Sequence, residues 1–259
     1  MTILLLGGTA DARYAADALH QAGLKIVYSI AGLVRVPRVD CELLVGGFSK
    51  RGGLSHYIQQ NSIKAIVDIT HPYAQNMSNK AVLVAKELNI PCWRMNRPLW
   101  SAVSGDNWSE YHSDIDLPGI LKGFQRPLLS SGQIDSERLW DLADLESIER
   151  IYWRTAVAPK FDIPGNVTWL KAIGPFQYED EADLIEQYQI DVIVSKNSGG
   201  KSTSAKLDVA RDKGLPVYLQ RRPTLLIAER EFHDVDRCVS ACIEAFSQKN
   251  NQMIGAAQQ

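Results

Sequence analysis

Short apolar runs alternate with helix-spaced stretches along nearly the whole chain. The pattern predicts strands at Ile3–Leu6, Lys25–Ser29, Glu42–Val45, Ala65–Ile69 and Cys92–Met95. Between them, helical spacing is expected from near Asp11 to Ala22, around Leu54–Ile58, and from Asn76 to Leu88. In the last of these, Ala81, Val84, Ala85 and Leu88 share one face. From Trp100 to Gly119 the rhythm breaks, which predicts a crossover with a short strand near Trp108–His112. Strands then recur at Pro127–Ser131, Tyr152–Val157, Thr168–Ala172, Asp191–Ser195 and Val217–Gln220. Helices are expected at Ser136–Leu145, Glu181–Tyr188, Thr203–Lys213 and Phe232–Phe246. Buried strands alternating with amphipathic helices specify parallel sheets with right-handed crossovers. The expected fold class is therefore α/β, with two lobes, each a mostly parallel sheet flanked by helices. The expected boundaries are an N-terminal lobe at 1–100, a crossover at 101–126, a C-terminal lobe at 127–248 and a frayed tail at 249–259.

Composition narrows the function classes. The 259 residues carry 28 Lys and Arg against 30 Asp and Glu, a net charge of −2. Without a basic stripe there is no electrostatic reason to expect nucleic acid. Cys41, Cys92, Cys238 and Cys242 lack metal-site spacing, so no metal is expected. Met1–Gly7 has no basic lead and runs straight into a glycine pair, so it reads as a strand rather than a signal peptide. No apolar stretch approaches the roughly 20 residues that span a bilayer. A cytoplasmic protein without membrane partners is the expectation.

Candidate chemistry gathers after the strands, where open parallel sheets hold ligands. Gly7-Gly8-Thr9-Ala10-Asp11 leads from the first strand into a helix, and such a turn admits phosphate to a helix N-terminus. The third glycine of the dinucleotide fingerprint is absent, and a plain tight turn explains the fragment equally well. Gly46-Gly47 after the third strand is either a turn or space for a ligand. Thr70-His71-Pro72-Tyr73 follows the fourth strand; His71 either braces the turn or offers a group that titrates near neutrality. Lys196-Asn197-Ser198-Gly199-Gly200-Lys201 is dense in donors and suits an anion. It is not a triphosphate loop, because Ser195 stands where that motif needs its first glycine. Arg221-Arg222 could also face an acidic ligand, whereas Glu179-Asp180-Glu181 reads only as a charged first helical turn.

Several of these segments together resemble precorrin-6A reductases. Gly7-Gly8-Thr9-Ala10-Asp11-Ala12-Arg13 is similar to that family's opening, as are Val45–Phe48, Asp68–Ala74, Arg97–Trp100, Gly174–Phe176, Ser195–Gly200 and Lys206-Leu207. They occur in the family's order. One departure is Leu33, in Ser29-Ile30-Ala31-Gly32-Leu33, where the family has arginine; the nearest arginine is Arg35. The resemblance implies two Rossmann-like lobes with cofactor and tetrapyrrole in the cleft between them. It implies nicotinamide-dependent reduction of a ring double bond, between macrocycle carbons 18 and 19, in precorrin-6A or its cobalt analogue. Gly7, Gly8, Thr9, Ala10, Arg13, Ser29, Gly32, Arg35, Gly46, Gly47 and Thr70 are the expected cofactor residues. His71 and Tyr73 are the candidate catalytic residues. Lys196, Asn197, Ser198, Gly199, Gly200 and Lys201 are the candidate substrate residues. No carboxylate lies near Tyr28 and Ser29, where an NAD-selective fold places one, so NADPH is expected over NADH. Two other readings fit the bare pattern: a reductase of a smaller substrate, and a dinucleotide sensor without catalysis.

Overall fold

The computed structural model describes residues 1–32 and 37–256, with side chains to residue 247. The chain begins β1 (Thr2–Leu6), α1 (Ala10–Gln21), β2 (Lys25–Ile30), β3 (Glu42–Val45), α2 (Leu54–Gln60), β4 (Ile63–Asp68), α3 (Gln75–Glu87), β5 (Cys92–Met95). Next come β6 (Asn107–Tyr111), α4 (Leu117–Leu121), β7 (Pro127–Ser130), α5 (Ser136–Ala143), β8 (Ile151–Thr155) and β9 (Val167–Lys171). They are followed by α6 (Tyr178–Gln187), β10 (Val192–Lys196), α7 (Ala205–Asp212), β11 (Pro216–Gln220), β12 (Arg230–Phe232) and α8 (Val235–Ala256). The strands form two all-parallel six-stranded sheets, ordered β12-β5-β4-β1-β2-β3 and β6-β11-β10-β7-β8-β9.

The chain divides into two compact units. The first joins Met1–Pro98 to the segment from Pro223 onward; the second is Leu99–Arg222. This differs from the expected boundaries in three places. The expected crossover at 101–126 is part of the second unit, because its short strand, expected near Trp108–His112, is β6 and pairs with β11 at the edge of the second sheet. Residues from 223 leave the expected C-terminal lobe, because β12 pairs with the free edge of β5. The backbone of α8 also continues through Ala256, so 249–256 is helix rather than frayed tail.

In the first unit, each sheet face is buried. On one face Ile3, Leu5, Ile26 and Val67 pack under α1 and α8, with Ala12, Ala15, Ala16 and Leu19 from the first helix. Cys238, Val239, Cys242 and Phe246 come from α8, and Trp93 and Phe246 meet at 4.8 Å between ring centroids. On the other face Leu4, Leu6, Val27 and Ile66 pack under α2 and α3. Two-sided burial is why β1, β2 and β4 read as continuous apolar runs. Each fully buried aliphatic side chain contributes about 1.5–3 kcal/mol. Thr9 caps α1 by accepting from the Ala12 amide at 3.1 Å, and Gly23 ends it with φ +81°.

The second unit repeats the scheme. Leu129, Trp153, Val192 and Val194 pack with α4 and α5, while Leu128, Ile193, Val217 and Leu219 pack with α6 and α7. No helix among the described residues is long and apolar enough to cross a membrane. No metal-binding cluster of His, Cys, Asp and Glu occurs among them, and all four cysteines are buried and free.

Candidate functional site

In the first sheet β1 is the pivot. The chain grows outward to β2 and β3 on one side, then returns to add β4 and β5 on the other. Such a reversal, at the carboxyl ends of β1 and β4, is the place where doubly wound sheets take ligands. Gly7-Gly8-Thr9 occupies it. The Gly7 amide donates to the Ser29 carbonyl at 2.8 Å, tying the turn to the end of β2. The Gly8 amide donates to the Tyr28 hydroxyl at 3.2 Å, and the Thr9 hydroxyl donates to the Ile69 carbonyl at 3.0 Å. Gly8 has φ +111°, and a Cβ there would meet nothing within 4 Å. Glycine is therefore required by the backbone at this point, and the space above it is open. Gly7 differs: a Cβ there would overlap the Tyr28 ring.

The rim continues across β2 and β3. The Gly46 amide donates to the Ile30 carbonyl at 2.9 Å, and a Cβ on Gly32 would overlap Val45. Gly46 and Gly47 themselves face open space apart from the Ser49 hydroxyl. Arg13 is exposed on α1, near enough to Tyr28 to oppose the burial that raises its phenol pKa. Asp11, in the first turn of α1, would repel an anion, but Arg97 pairs with it at 3.1 Å. Arg35 lies outside the described residues.

After β4, Thr70 and His71 stand on a buried polar network. Asp68 is 1% exposed. Its Oδ1 accepts from the Thr70 amide at 3.1 Å and hydroxyl at 2.7 Å, and its Oδ2 from Arg94 Nε at 3.0 Å. Arg94 also donates to the Ser78 carbonyl at 3.1 Å and the Leu226 carbonyl at 2.7 Å. One guanidinium thus ties the Thr70 loop, α3 and the segment leading to β12. Asp68, Arg94 and Ser78 were not among the expected site residues. Their signal is an Asp and an Arg inside otherwise apolar strands, which buried strands tolerate only as a pair. His71 is exposed, and its Nδ1 accepts from the Tyr73 amide at 3.3 Å. That bond places the proton of a neutral His71 on Nε2. His71 therefore braces its own turn.

The second sheet has the same reversal between β7 and β10. Lys196 ends β10, and its Nζ would lie 3.3 Å from a Cβ on Gly132, the glycine after β7. Burial lowers the pKa of Lys196 while the charge of Asp114 opposes the shift. Burial likewise raises Asp114 against the pull of Lys196. Asn197 and Ser198 are buried. The Asn197 side chain accepts from the Trp100 amide at 2.8 Å and donates to the Trp100 carbonyl at 3.1 Å. Arg222 donates to the Asn197 carbonyl at 2.8 Å. Asn197 thus braces the loop from within. Gly199 has φ +70°, and Lys201 is exposed.

Comparison with known proteins identifies the family. The family model described as precorrin-6x reductase CbiJ/CobK matches residues 2–243. The chain belongs to this family. A precorrin-6A reductase of Rhodococcus erythropolis is 38% identical over 236 residues, 90% of this chain and 94% of that protein. One from Sinorhizobium sp. is 34% identical over 223 residues, covering 85% and 84%. The solved structure of CobK precorrin-6A reductase superposes with a TM-score of 0.84 at 27% identity, covering 94% of this chain and 96% of that one. The two-lobe α/β architecture expected from the sequence is that of the precorrin-6x reductases.

Within this family member, the first unit brings Gly7, Gly8, Thr9, Ala10, Ser29, Gly32, Gly46, Gly47, Thr70, His71 and Tyr73 to one carboxyl edge. The second unit gathers Lys196–Lys201 at the equivalent edge of its own sheet.

Proposed function

We propose that this chain reduces precorrin-6A, or its cobalt form, to the 6B form in cobalamin biosynthesis, using NADPH. The observation that carries the reading is the Gly7-Gly8-Thr9 turn at the strand reversal of the first sheet, in a chain belonging to the precorrin-6x reductases. The residues fit a dinucleotide: the space over Gly8 admits a pyrophosphate to the α1 N-terminus, and Arg97 offsets Asp11. When bound, the nicotinamide supplies the hydride that, with one proton, saturates a macrocycle double bond. Ser29 and Ile30 end β2 without a carboxylate to accept from a ribose 2′-hydroxyl. Arg38, Lys50 and Arg51, exposed after β2 and β3, offer cations to a 2′-phosphate instead.

The remaining residues bind, orient and hold protons. Lys196 and Lys201 suit the carboxylates that fringe a tetrapyrrole. His71 holds a proton at Nε2 and is the favoured donor; Tyr73 orients its ring, the two centroids lying 5.6 Å apart. The Asp68–Arg94 pair fixes the loop that carries both. Replacing His71 by Ala should lower kcat by about 10²-fold or more while NADPH affinity stays unchanged. Wild-type turnover would return His71 to a turn brace. The reading as a whole is tested with precorrin-6A and cobalt-precorrin-6A, each with NADPH and with NADH, following macrocycle absorption and nicotinamide oxidation together. Coupled change with one substrate form and preference for NADPH is expected. A nicotinamide that binds without any macrocycle reduction would favour the sensor reading.

A further inference from the structure

Lys206 is a lysine buried where no chemistry described so far uses it. It is the second residue of α7 and only 2% exposed. Its Nζ donates to the Thr203 carbonyl at 2.5 Å and lies 5.2 Å from the centre of the Trp100 ring. Two charged groups face it, Arg154 from β8 and Glu181 from α6. Glu181 is already taken, because its two oxygens accept from Arg154 Nη1 at 2.5 Å and Nη2 at 3.1 Å. The cluster therefore holds two cations for one carboxylate. Burying a surplus cation costs free energy, and an apolar side chain of similar length would remove that cost.

What the ammonium gains is contact with both ends of one loop. Thr203 closes the loop through its amide, which donates to the Gly200 carbonyl at 3.3 Å. Trp100 is held against the start of the loop by the two Asn197 bonds. A cation attracts both the carbonyl oxygen and the face of the indole. We propose that Lys206 is a positioning residue that holds the Lys196–Lys201 loop in its ligand-binding form from beneath, through Thr203 and Trp100. Its bearing on catalysis rests on the reading that this loop binds the tetrapyrrole.

The charge state of Lys206 makes the role measurable. Burial, with Arg154 adding to it and Glu181 opposing, holds the ammonium down to about 7. An unfolded lysine keeps its proton to about 10.4. Between those values the unfolded chain binds more protons, so this residue makes stability rise with pH across that window. At about pH 6 it costs stability in full. Lys206→Met removes that cost, so its Tm at that pH should equal or exceed wild type. A residue serving only stability would show the reverse.

The test compares wild type, Lys206→Met and Lys196→Ala. Amide hydrogen exchange of the unliganded proteins should show residues 197–203 exchanging faster in Lys206→Met, with the strands of both sheets still protected. At about pH 6 the KM for the macrocycle should rise about tenfold, the effect of losing one charge-assisted hydrogen bond, while the KM for NADPH is unchanged. Wild-type KM for the macrocycle should climb as pH passes through about 7 toward the value of Lys206→Met. Lys196 titrates in both proteins, so the difference between them isolates Lys206. Unchanged exchange in 197–203, or a Tm that falls at about pH 6, would overturn the positioning role. A loosened loop with unchanged macrocycle KM in both variants would instead overturn the reading that the loop binds substrate.

Discussion

Gly7 and Gly8 are adjacent glycines held by different constraints. Gly7 has no room for a methyl group because the Tyr28 ring lies against it, whereas Gly8 has room but a backbone that L-residues resist. Gly7→Ala should therefore cost about 1–3 kcal/mol through overpacking, read from urea denaturation. A bulky residue at Gly8 strains the turn itself, so it tests the fold and the ligand together. Thr9 separates them better. Thr9→Val loses both the cap to Ala12 and the bond to Ile69, and should cost about 1 kcal/mol and weaken NADPH binding. Thr9→Ser should restore both, and titration calorimetry with NADPH decides. A Thr9→Val protein that binds NADPH as wild type does would remove the turn from the site. The glycine pair was legible in the sequence as a turn. The reason for Gly7 was not, because it depends on Leu5 pairing with Tyr28 across two parallel strands, a register that no local pattern reveals.

Whole elements show the same division between local and distant causes. The buried strands were legible to within a residue or two because two-sided burial writes them as apolar runs. The expected helix at Asn76–Leu88 is α3 at Gln75–Glu87. The strand β12 was not legible. It is Arg-Glu-Phe, three residues without apolar alternation, and exists because the edge of β5 gives it backbone partners. The Asp68–Arg94 pair joins β4 to β5 and reaches that returning segment through Leu226 and Glu231. Removing one partner leaves a buried charge, so Arg94→Met should cost about 3–5 kcal/mol. Arg94→Met combined with Asp68→Asn should recover part of that loss. Thermal unfolding of the three variants measures the coupling, and strictly additive losses would show that the pair does not act as a unit.

At the scale of the molecule, the first sheet takes its sixth strand from beyond the second unit, whereas the second sheet uses six strands consecutive in the chain. The strand β6 precedes the second unit's core strands, and β12 follows them to complete the first sheet. The α/β class and the presence of two lobes were legible from the alternation. The boundaries were not, because long-range pairing rather than any composition shift sets them. The first unit consequently depends on α8, whose Phe246 packs on Trp93. Phe246→Ala should cost about 3–5 kcal/mol and should abolish NADPH binding at temperatures where the second unit remains folded. Loss of both units in a single transition, followed by calorimetry, would show that they unfold together.

The proposed reaction is delivery of a nicotinamide hydride to a tetrapyrrole. The most direct measurement incubates the protein with precorrin-6A and NADPH deuterated at the transferable position, then determines the mass of the macrocycle product. The expected product gains two hydrogens, one of them deuterium from NADPH and the other from solvent, with one NADPH consumed per macrocycle. An unchanged macrocycle, or a reduced one carrying no deuterium, would contradict that reaction.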